Sequence, residues 1–140
     1  MKLLFDTNVI LDVLLNREPF VNEATQLFCA VEEGMLQGVL AATTVTTIFY
    51  LSTKALGQVA AKKAINSLLS LFEIAAINRI VLEDALTLEF TDFEDAVIYQ
   101  AAYHANAHGI VTRNTKDYKK SKLPVYNPAE LITFLNRKNS

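Results

Sequence analysis

Short apolar runs alternate with helix-like segments throughout this chain of 140 residues, and that alternation restricts the fold more than any other feature of the sequence. Residues 2–5 form the first run, and Val9, Ile10, Val13 and Leu14 then recur at helical spacing. The later runs lie at residues 36–42, 72–77, 110–112 and 124–126. Strands separated by helices favour right-handed crossovers and a sheet covered on both faces. The sequence therefore predicts an α/β fold: a three-layer α/β/α domain with a mostly parallel central sheet.

The limits of the other predicted helices follow from apolar spacing and from cap and stop residues. Pro19 suits a first helical turn, and Gly34 ends that predicted helix. Thr43 or Thr44 is suited to cap the next helix, which is expected to end near residue 56. The remaining predicted helices cover residues 59–71, 82–88, 91–107 and 128–137.

Composition favours a single domain over residues 1–140, because 51% of the residues are apolar and no stretch has the composition of a linker. Cys29 is the only cysteine, so no intramolecular disulfide is available, and we expect a cytoplasmic protein. Asp6 and Asp12 interrupt the first apolar segments, which argues against a signal peptide or a membrane span there. The net charge of −2 argues against a charge-driven coat protein for nucleic acids but not against a nuclease.

Polar residues follow three of the predicted strands, at the edge where parallel sheets bind ligands. Asp6, Thr7 and Asn8 follow the first strand, Thr43 and Thr44 follow the second, and residues 113–117 follow the fourth. Taken alone, Asp6 is more simply interpreted as a helix N-cap. Its significance therefore depends on which other groups reach the same edge.

A second acidic group opens the predicted helix over residues 91–107. Asp92 and Asp95 are three residues apart and share a face of that helix, whereas Glu94 points elsewhere. The alternative is purely structural, because Thr91 and Glu94 have the spacing of a capping box. Two acids would satisfy the cap and three are present, so Asp95 is a candidate for the sheet edge.

The loop after the fourth predicted strand carries a concentration of basic residues. Five of the 13 Lys and Arg residues fall within ten positions: Arg113, Lys116, Lys119, Lys120 and Lys122. A solvated loop and a phosphate-contacting rim explain this equally well. Carboxylates gathered at the neighbouring edge repel one another unless a cation neutralises them, and Mg²⁺ or Mn²⁺ prefers such oxygen ligands. Phosphodiester hydrolysis is the reaction that this combination favours.

Three segments in the same order resemble the PIN-domain family: LLFDTNVILDVLLNREPF, DFEDAVIYQAA and GIVTRNTKDY. The resemblance covers almost the whole chain. Within the family, the chain is similar to the VapC-like toxin branch. It places Asp6 and Asp95 at the family's metal-binding acids, with Asn114 at a further acidic position and Asp117 three residues later. It implies a Mg²⁺- or Mn²⁺-dependent endoribonuclease acting on RNA, often dimeric and inhibited by an antitoxin.

Two positions depart from the family pattern. Thr47 stands where many members carry a glutamate, and Asn114 stands where the last aspartate is usual. Asp92, Glu94 and Asp117 are available as substitutes, so the sequence favours one metal ion over a two-metal site.

The resemblance also implies which residues act around the metal. Asp6 and Asp95 would bind it, and Asn114 or Asp117 would complete its ligands or orient the attacking water. The groups that would support these residues or contact phosphate are Thr7, Asn8, Thr44, Thr47, Arg113 and Lys116.

Other functions have weaker support in the sequence. A phosphatase of the haloacid dehalogenase type needs an aspartate where Asn8 stands, and a phosphate-receiving regulator needs one after the third predicted strand. His104 and His108 have a zinc-compatible spacing but no acid between them. The main alternative is a PIN-like module that binds RNA or a protein partner and does not cut.

Overall fold

A computed structural model describes residues 1–138 of the chain. Asn139 and Ser140, the last two residues of the predicted domain, lie outside the described residues. Within residues 1–138, no helix has both the length and the apolar character needed to cross a membrane.

The strands of the described residues are β1 Lys2–Phe5, β2 Gln37–Ala41, β3 Glu73–Ala75, β4 Gly109–Val111 and β5 Val125–Tyr126. They form one parallel sheet in the order β3-β2-β1-β4-β5. The chain first builds the sheet outward from β1 to β3 and then returns to place β4 on the other side of β1, so strand order reverses between β1 and β4.

The helices cover both faces of this sheet, which confirms the predicted α/β/α fold. The helices are α1 Thr7–Leu14, α2 Val21–Glu32, α3 Ala42–Leu56, α4 Gln58–Leu71, α5 Arg79–Leu86, α6 Phe93–His104 and α7 Pro128–Lys138. Side chains alternate across β1: Leu3 and Phe5 pack in the core with α1, α2, α3, α4 and α7, whereas Leu4 packs in the core with α5 and α6. A 3₁₀ turn covers Thr115–Tyr118.

Three predicted helix starts were wrong. The helix predicted over residues 82–88 is α5, which begins at Arg79 because the Asn78 side chain caps it by accepting from the Val81 N–H. Pro19 precedes α2, because the Arg17 carbonyl accepts hydrogen bonds from the N–H groups of Phe20 and Val21 and forms a turn before the helix. Neither Thr43 nor Thr44 caps α3, which begins at Ala42 without a side-chain cap. Thr44 instead lies inside the first turn, where its hydroxyl meets that of Thr7.

Candidate metal site at the carboxyl ends of β1 and β4

The candidate site lies where strand order reverses, the position at which open parallel sheets bind ligands. Asp6 follows β1 directly and caps α1, while Thr112 follows β4 directly. The Asp6 N–H donates to the Val111 carbonyl at 2.9 Å, so the two strand ends remain joined past the last β1 residue. The sheet therefore brings together two segments that are about a hundred residues apart in sequence.

Asp6 is an almost completely buried carboxylate, with 7% of its surface exposed. Its oxygens accept hydrogen bonds from the Thr7 N–H and from the Thr112 hydroxyl, both at 2.8 Å. Burial raises the pKa of Asp6 above its usual range, and the bonds from Thr112 and Thr7 oppose that rise only in part. The predicted helix cap is therefore real, but capping leaves the buried charge incompletely compensated.

Asp95 lies in the first turn of α6, close enough to Asp6 for the two charges to interact. Burial raises its pKa to about 7, and the charge of Asp6 is the next largest cause, followed by Asp92, Asp117 and Glu94. The pKa of Asp6 is in turn raised by Asp117. Carboxylates from three separate segments of the chain thus act on one another electrostatically, as the sequence predicted.

This acidic group has the chemistry that a hard divalent cation requires. A cation between Asp6 and Asp95 would compensate the burial and repulsion that raise the pKa values of both groups. Within residues 1–138, however, no three His, Cys, Asp or Glu side chains form a complete metal-binding group. The residues fit Mg²⁺ or Mn²⁺ held by one or two carboxylates, with water and phosphate oxygens as the other ligands.

Asn8 and Thr112 hold the Asp6 carboxylate from the side of β4. The Asn8 amide nitrogen donates to Thr112 Oγ1 at 3.2 Å and to Asp6 Oδ2 at 3.5 Å, while its Oδ1 accepts from the Arg113 N–H at 3.1 Å. Thr112 Oγ1 also accepts from the Asn114 N–H at 3.1 Å. Asp6 is therefore oriented by groups that also determine the path of the loop after β4.

Four further predicted site residues take different positions around this edge. Thr7 donates to Thr44 Oγ1 at 3.1 Å, which ties the start of α1 to α3. Thr47 is half-buried on α3, and no hydrogen bond joins its hydroxyl to the acidic side chains in the part of the chain that the structure describes. Asn114 is exposed, and its backbone carbonyl accepts a hydrogen bond from the Asp117 N–H at 3.0 Å.

The capping-box interpretation of α6 was wrong. Asp92, rather than Thr91, is the N-cap, and its carboxylate accepts from the Glu94 N–H at 2.8 Å. Because capping requires only Asp92, it leaves Asp95 unexplained. This observation strengthens the functional interpretation of Asp95.

Basic side chains border the acidic group on the loop that follows β4. Lys116 lies on the 3₁₀ turn beside Asp117, and its side chain is exposed. Lys119, Lys120 and Lys122 are also exposed. Arg113 differs from them, because its guanidinium is engaged by Asp12 and stacks on the Phe20 ring at 3.9 Å.

Comparison with known proteins identifies the family. The sequence profile of the PIN domain matches residues 2–116, which is most of the chain. The chain belongs to the PIN-domain family. No match is found among curated proteins.

Solved structures with the same fold include several toxin–antitoxin proteins. A toxin–antitoxin complex from Klebsiella pneumoniae is 28% identical, with a TM-score of 0.68 and coverage of 89% of this chain and 96% of that one. VapBC2 from Rickettsia felis, bound to a promoter DNA fragment, is 18% identical, with a TM-score of 0.68 and coverage of 91% and 98%. VapC20 from Mycobacterium tuberculosis, described as a toxin that cleaves the sarcin–ricin loop, is 12% identical, with a TM-score of 0.62 and coverage of 77% and 86%.

Asp12 is a buried residue of this PIN domain that the sequence analysis missed as part of the site. Its side chain is 1% exposed and pairs with Arg17 at 2.9 Å and with Arg113 at 2.6 Å. The available signal was an acid inside an otherwise apolar helix, four residues after Asn8, because a buried carboxylate requires a partner. The sequence did not indicate that the partner would be Arg113, about a hundred positions away.

Tyr118 brings a buried hydroxyl to the acidic group of the PIN domain. Its side chain is 1% exposed, and the charges of Asp6 and Asp95 add to burial in raising its pKa. The hydroxyl is near enough to Asp6 to lower the pKa of that carboxyl, yet it forms no hydrogen bond of regular geometry within residues 1–138. The hydroxyl should therefore contribute little to stability.

We expect Tyr118→Phe to leave the free energy of unfolding unchanged or to raise it by up to about 1 kcal/mol, because an unsatisfied buried hydroxyl is removed. Tyr99→Phe is the matched control, since the Tyr99 hydroxyl accepts from the Lys122 N–H at 3.3 Å. That variant should lose about 1 kcal/mol. Urea unfolding measures both, and an equal loss in the two variants would show that the Tyr118 hydroxyl is well bonded.

Proposed function

We propose that this PIN domain is a metal-dependent endoribonuclease that hydrolyses phosphodiester bonds in RNA. The observation that carries the proposal is that burial and neighbouring acids raise the pKa values of both Asp6 and Asp95 at the reversal point of the sheet. Structural caps and ion pairs usually lower carboxyl pKa values, whereas a site built for a cation and a phosphate gathers uncompensated acids. The family match supports nuclease chemistry for this domain.

In this proposal Asp6 and Asp95 bind Mg²⁺ or Mn²⁺, and Asp117 holds the attacking water or completes the ligands. The ion would supply positive charge that lowers the pKa of a water molecule and offsets charge developing on the phosphate. Asn8 and Thr112 keep Asp6 oriented through the hydrogen bonds described above. The exposed lysines after β4 contact the RNA backbone on the same side.

We further propose that the protein acts in the cytoplasm as a toxin that an antitoxin protein inhibits, and that it forms a homodimer. The similarity to the Klebsiella pneumoniae toxin–antitoxin complex supports the antitoxin partner. Co-expression with the product of an adjacent small gene, followed by copurification and growth assays, tests this role.

The cleavage activity is tested directly with purified protein, Mg²⁺ or Mn²⁺, and a panel of single-stranded and structured RNAs. Cleavage that requires the metal, stops on chelation and copurifies with the protein through the last column is the expected result. Cleavage that copurifies with the protein but persists after chelation, or no cleavage of any RNA in the panel, would contradict the proposal.

A PIN module that binds RNA or a protein without cutting is the second candidate. It is favoured by Thr47 and Asn114 at usually acidic positions and by the lack of a complete three-ligand group within residues 1–138. RNA retention without Mn²⁺ affinity distinguishes this function from the nuclease. Calorimetric titration with Mn²⁺ is the first measurement that separates the two.

The lysines after β4 give a prediction for RNA binding. Lys116→Ala and Lys119→Ala should each weaken binding of single-stranded RNA and reduce the slope of log K against log salt by about 0.7, the value for one lost phosphate contact. Fluorescence anisotropy between about 50 and 200 mM salt, with chelator present to prevent cleavage, measures this slope. Lys62→Ala, an exposed lysine on α4, is the control, and an equal effect there would mean that binding is not localised to the loop.

A further inference from the structure

The loop that carries Asn114 and Asp117 is fastened to α1 by a buried ion pair. Arg113 Nε donates to Asp12 Oδ2 at 2.6 Å, and its Nη2 donates to Asp12 Oδ1 at 3.2 Å. Asp12 is 1% exposed, so this forked contact is shielded from water. The Phe20 ring covers the guanidinium at 3.9 Å and limits its movement.

The same residue is also held through its backbone. The Arg113 N–H donates to Asn8 Oδ1 at 3.1 Å, and the other end of the Asn8 amide donates to Thr112 Oγ1 and Asp6. One turn of α1, from Asn8 to Asp12, thus holds both the main chain and the side chain at the point where the loop leaves β4. Asp117 follows four residues later and influences Asp6 and Asp95 electrostatically.

We infer that Asp12 and Arg113 are positioning residues that hold the loop after β4 so that Asp117 stays close to Asp6 and Asp95. This inference rests on the proposed function and deepens it, because it assigns to Arg113 a role other than phosphate contact. Its Nε and one Nη are committed to Asp12, and the ring of Phe20 occupies one face. In this inference, the exposed lysines that follow Arg113 contact the RNA.

Arg17 supplies a matched control for this inference. Its Nε donates to the same carboxylate, Asp12 Oδ1, at 2.9 Å, but it lies in the turn between α1 and α2 and not on the loop after β4. Arg113→Met and Arg17→Met therefore each remove one guanidinium from Asp12. Only the first should release the loop.

The experiment compares both variants with the wild-type protein by calorimetric Mn²⁺ titration and by amide hydrogen exchange of residues 112–118. Arg113→Met is expected to raise the Kd for Mn²⁺ by about tenfold or more, the usual effect of losing a group that orients ligands, and to speed exchange in this segment. Arg17→Met should leave the exchange unchanged and the Kd within about threefold of wild type. Equal effects of the two variants, or an unchanged Kd in Arg113→Met, would overturn the inference.

Two further measurements keep the test decisive. If Arg113→Met does not fold, Arg113→Lys replaces it, because lysine keeps the charge but loses the forked contact. Faster exchange of residues 112–118 with a weaker Mn²⁺ affinity is again the expected result, and wild-type values for both would overturn the inference. If the wild-type protein itself binds no Mn²⁺, the proposed function fails, and exchange alone then decides: faster exchange only in the Arg113 variant supports positioning, whereas equal exchange refutes it.

Discussion

Replacing Asp6 with asparagine should reduce metal-dependent RNA cleavage by about a thousandfold or more while the protein stays folded. Loss of this carboxylate removes a charged ligand, and stabilisation of phosphoryl charge by a bound metal is worth several kcal/mol, with each 1.36 kcal/mol equal to a factor of about ten in rate. Folding should survive because Asn Oδ1 can still accept from the Thr7 N–H and cap α1. Single-turnover cleavage of a labelled RNA and thermal unfolding measure the two properties.

Asp84→Asn makes the same chemical change away from the site and is the control for this experiment. Asp84 lies on α5, where its carboxylate contacts His104 at 3.0 Å. Replacement of Asp84 should leave cleavage unchanged.

The Asp6→Asn variant should also have a lower pKa at Asp95, since the charge of Asp6 is the second largest cause of the raised Asp95 pKa. If the Asp6→Asn variant still cleaves RNA at more than about a tenth of the wild-type rate, Asp6 is not a ligand of the metal.

The position of the site could be predicted because it depends on local signals. A short apolar run followed by Asp6, and another followed by Thr112, are readable as strand ends, and parallel topology then places them at one edge. Asp95 could be identified because the start of α6 has more acidic residues than a helix cap needs. The wrong helix starts at Pro19 and Thr43 depended on which of several adjacent residues makes the first turn.

The support around the site could not be predicted because it depends on long-range contacts. Asp12 and Arg113 are 101 residues apart, and nothing in the residues between them indicates that they pair. Similarly, Thr44 is a reasonable cap in isolation, but packing of α3 against α1 presents its hydroxyl to Thr7. Local spacing indicates which residue types reach an edge, whereas tertiary packing decides which of them become partners.

The buried acids on the two sides of α1 are compensated differently. Asp12, on α1, has two arginine partners, whereas the pKa values of Asp6 and Asp95 are raised by burial and by neighbouring acids. Two buried acids that are close in sequence therefore have opposite environments. This contrast separates the residue that positions the loop from the residues that are available to a cation.

The free energy of unfolding of the metal-free protein should fall as pH rises from about 4 to 7 because of Asp95. Its folded-state pKa of about 7 lies above the value of about 3.9 for an unfolded chain, so in this interval the folded state holds a proton that the unfolded state has released. Asp95→Asn should remove that part of the pH dependence, as measured by urea unfolding at several pH values. The same slope in the variant and the wild type would show that another group is responsible.

Cation binding should follow the opposite trend, because Mn²⁺ and the proton compete for Asp95. Below pH 7 a bound proton must be displaced, so the apparent Mn²⁺ affinity should decrease by about tenfold per pH unit and level off above pH 7. Added Mn²⁺ should therefore raise the melting temperature much more at pH 8 than at pH 6. Calorimetry in buffers of different ionisation enthalpy should detect close to one proton released per ion at pH 6, and an affinity independent of pH between 6 and 7 would mean that Asp95 does not bind the metal.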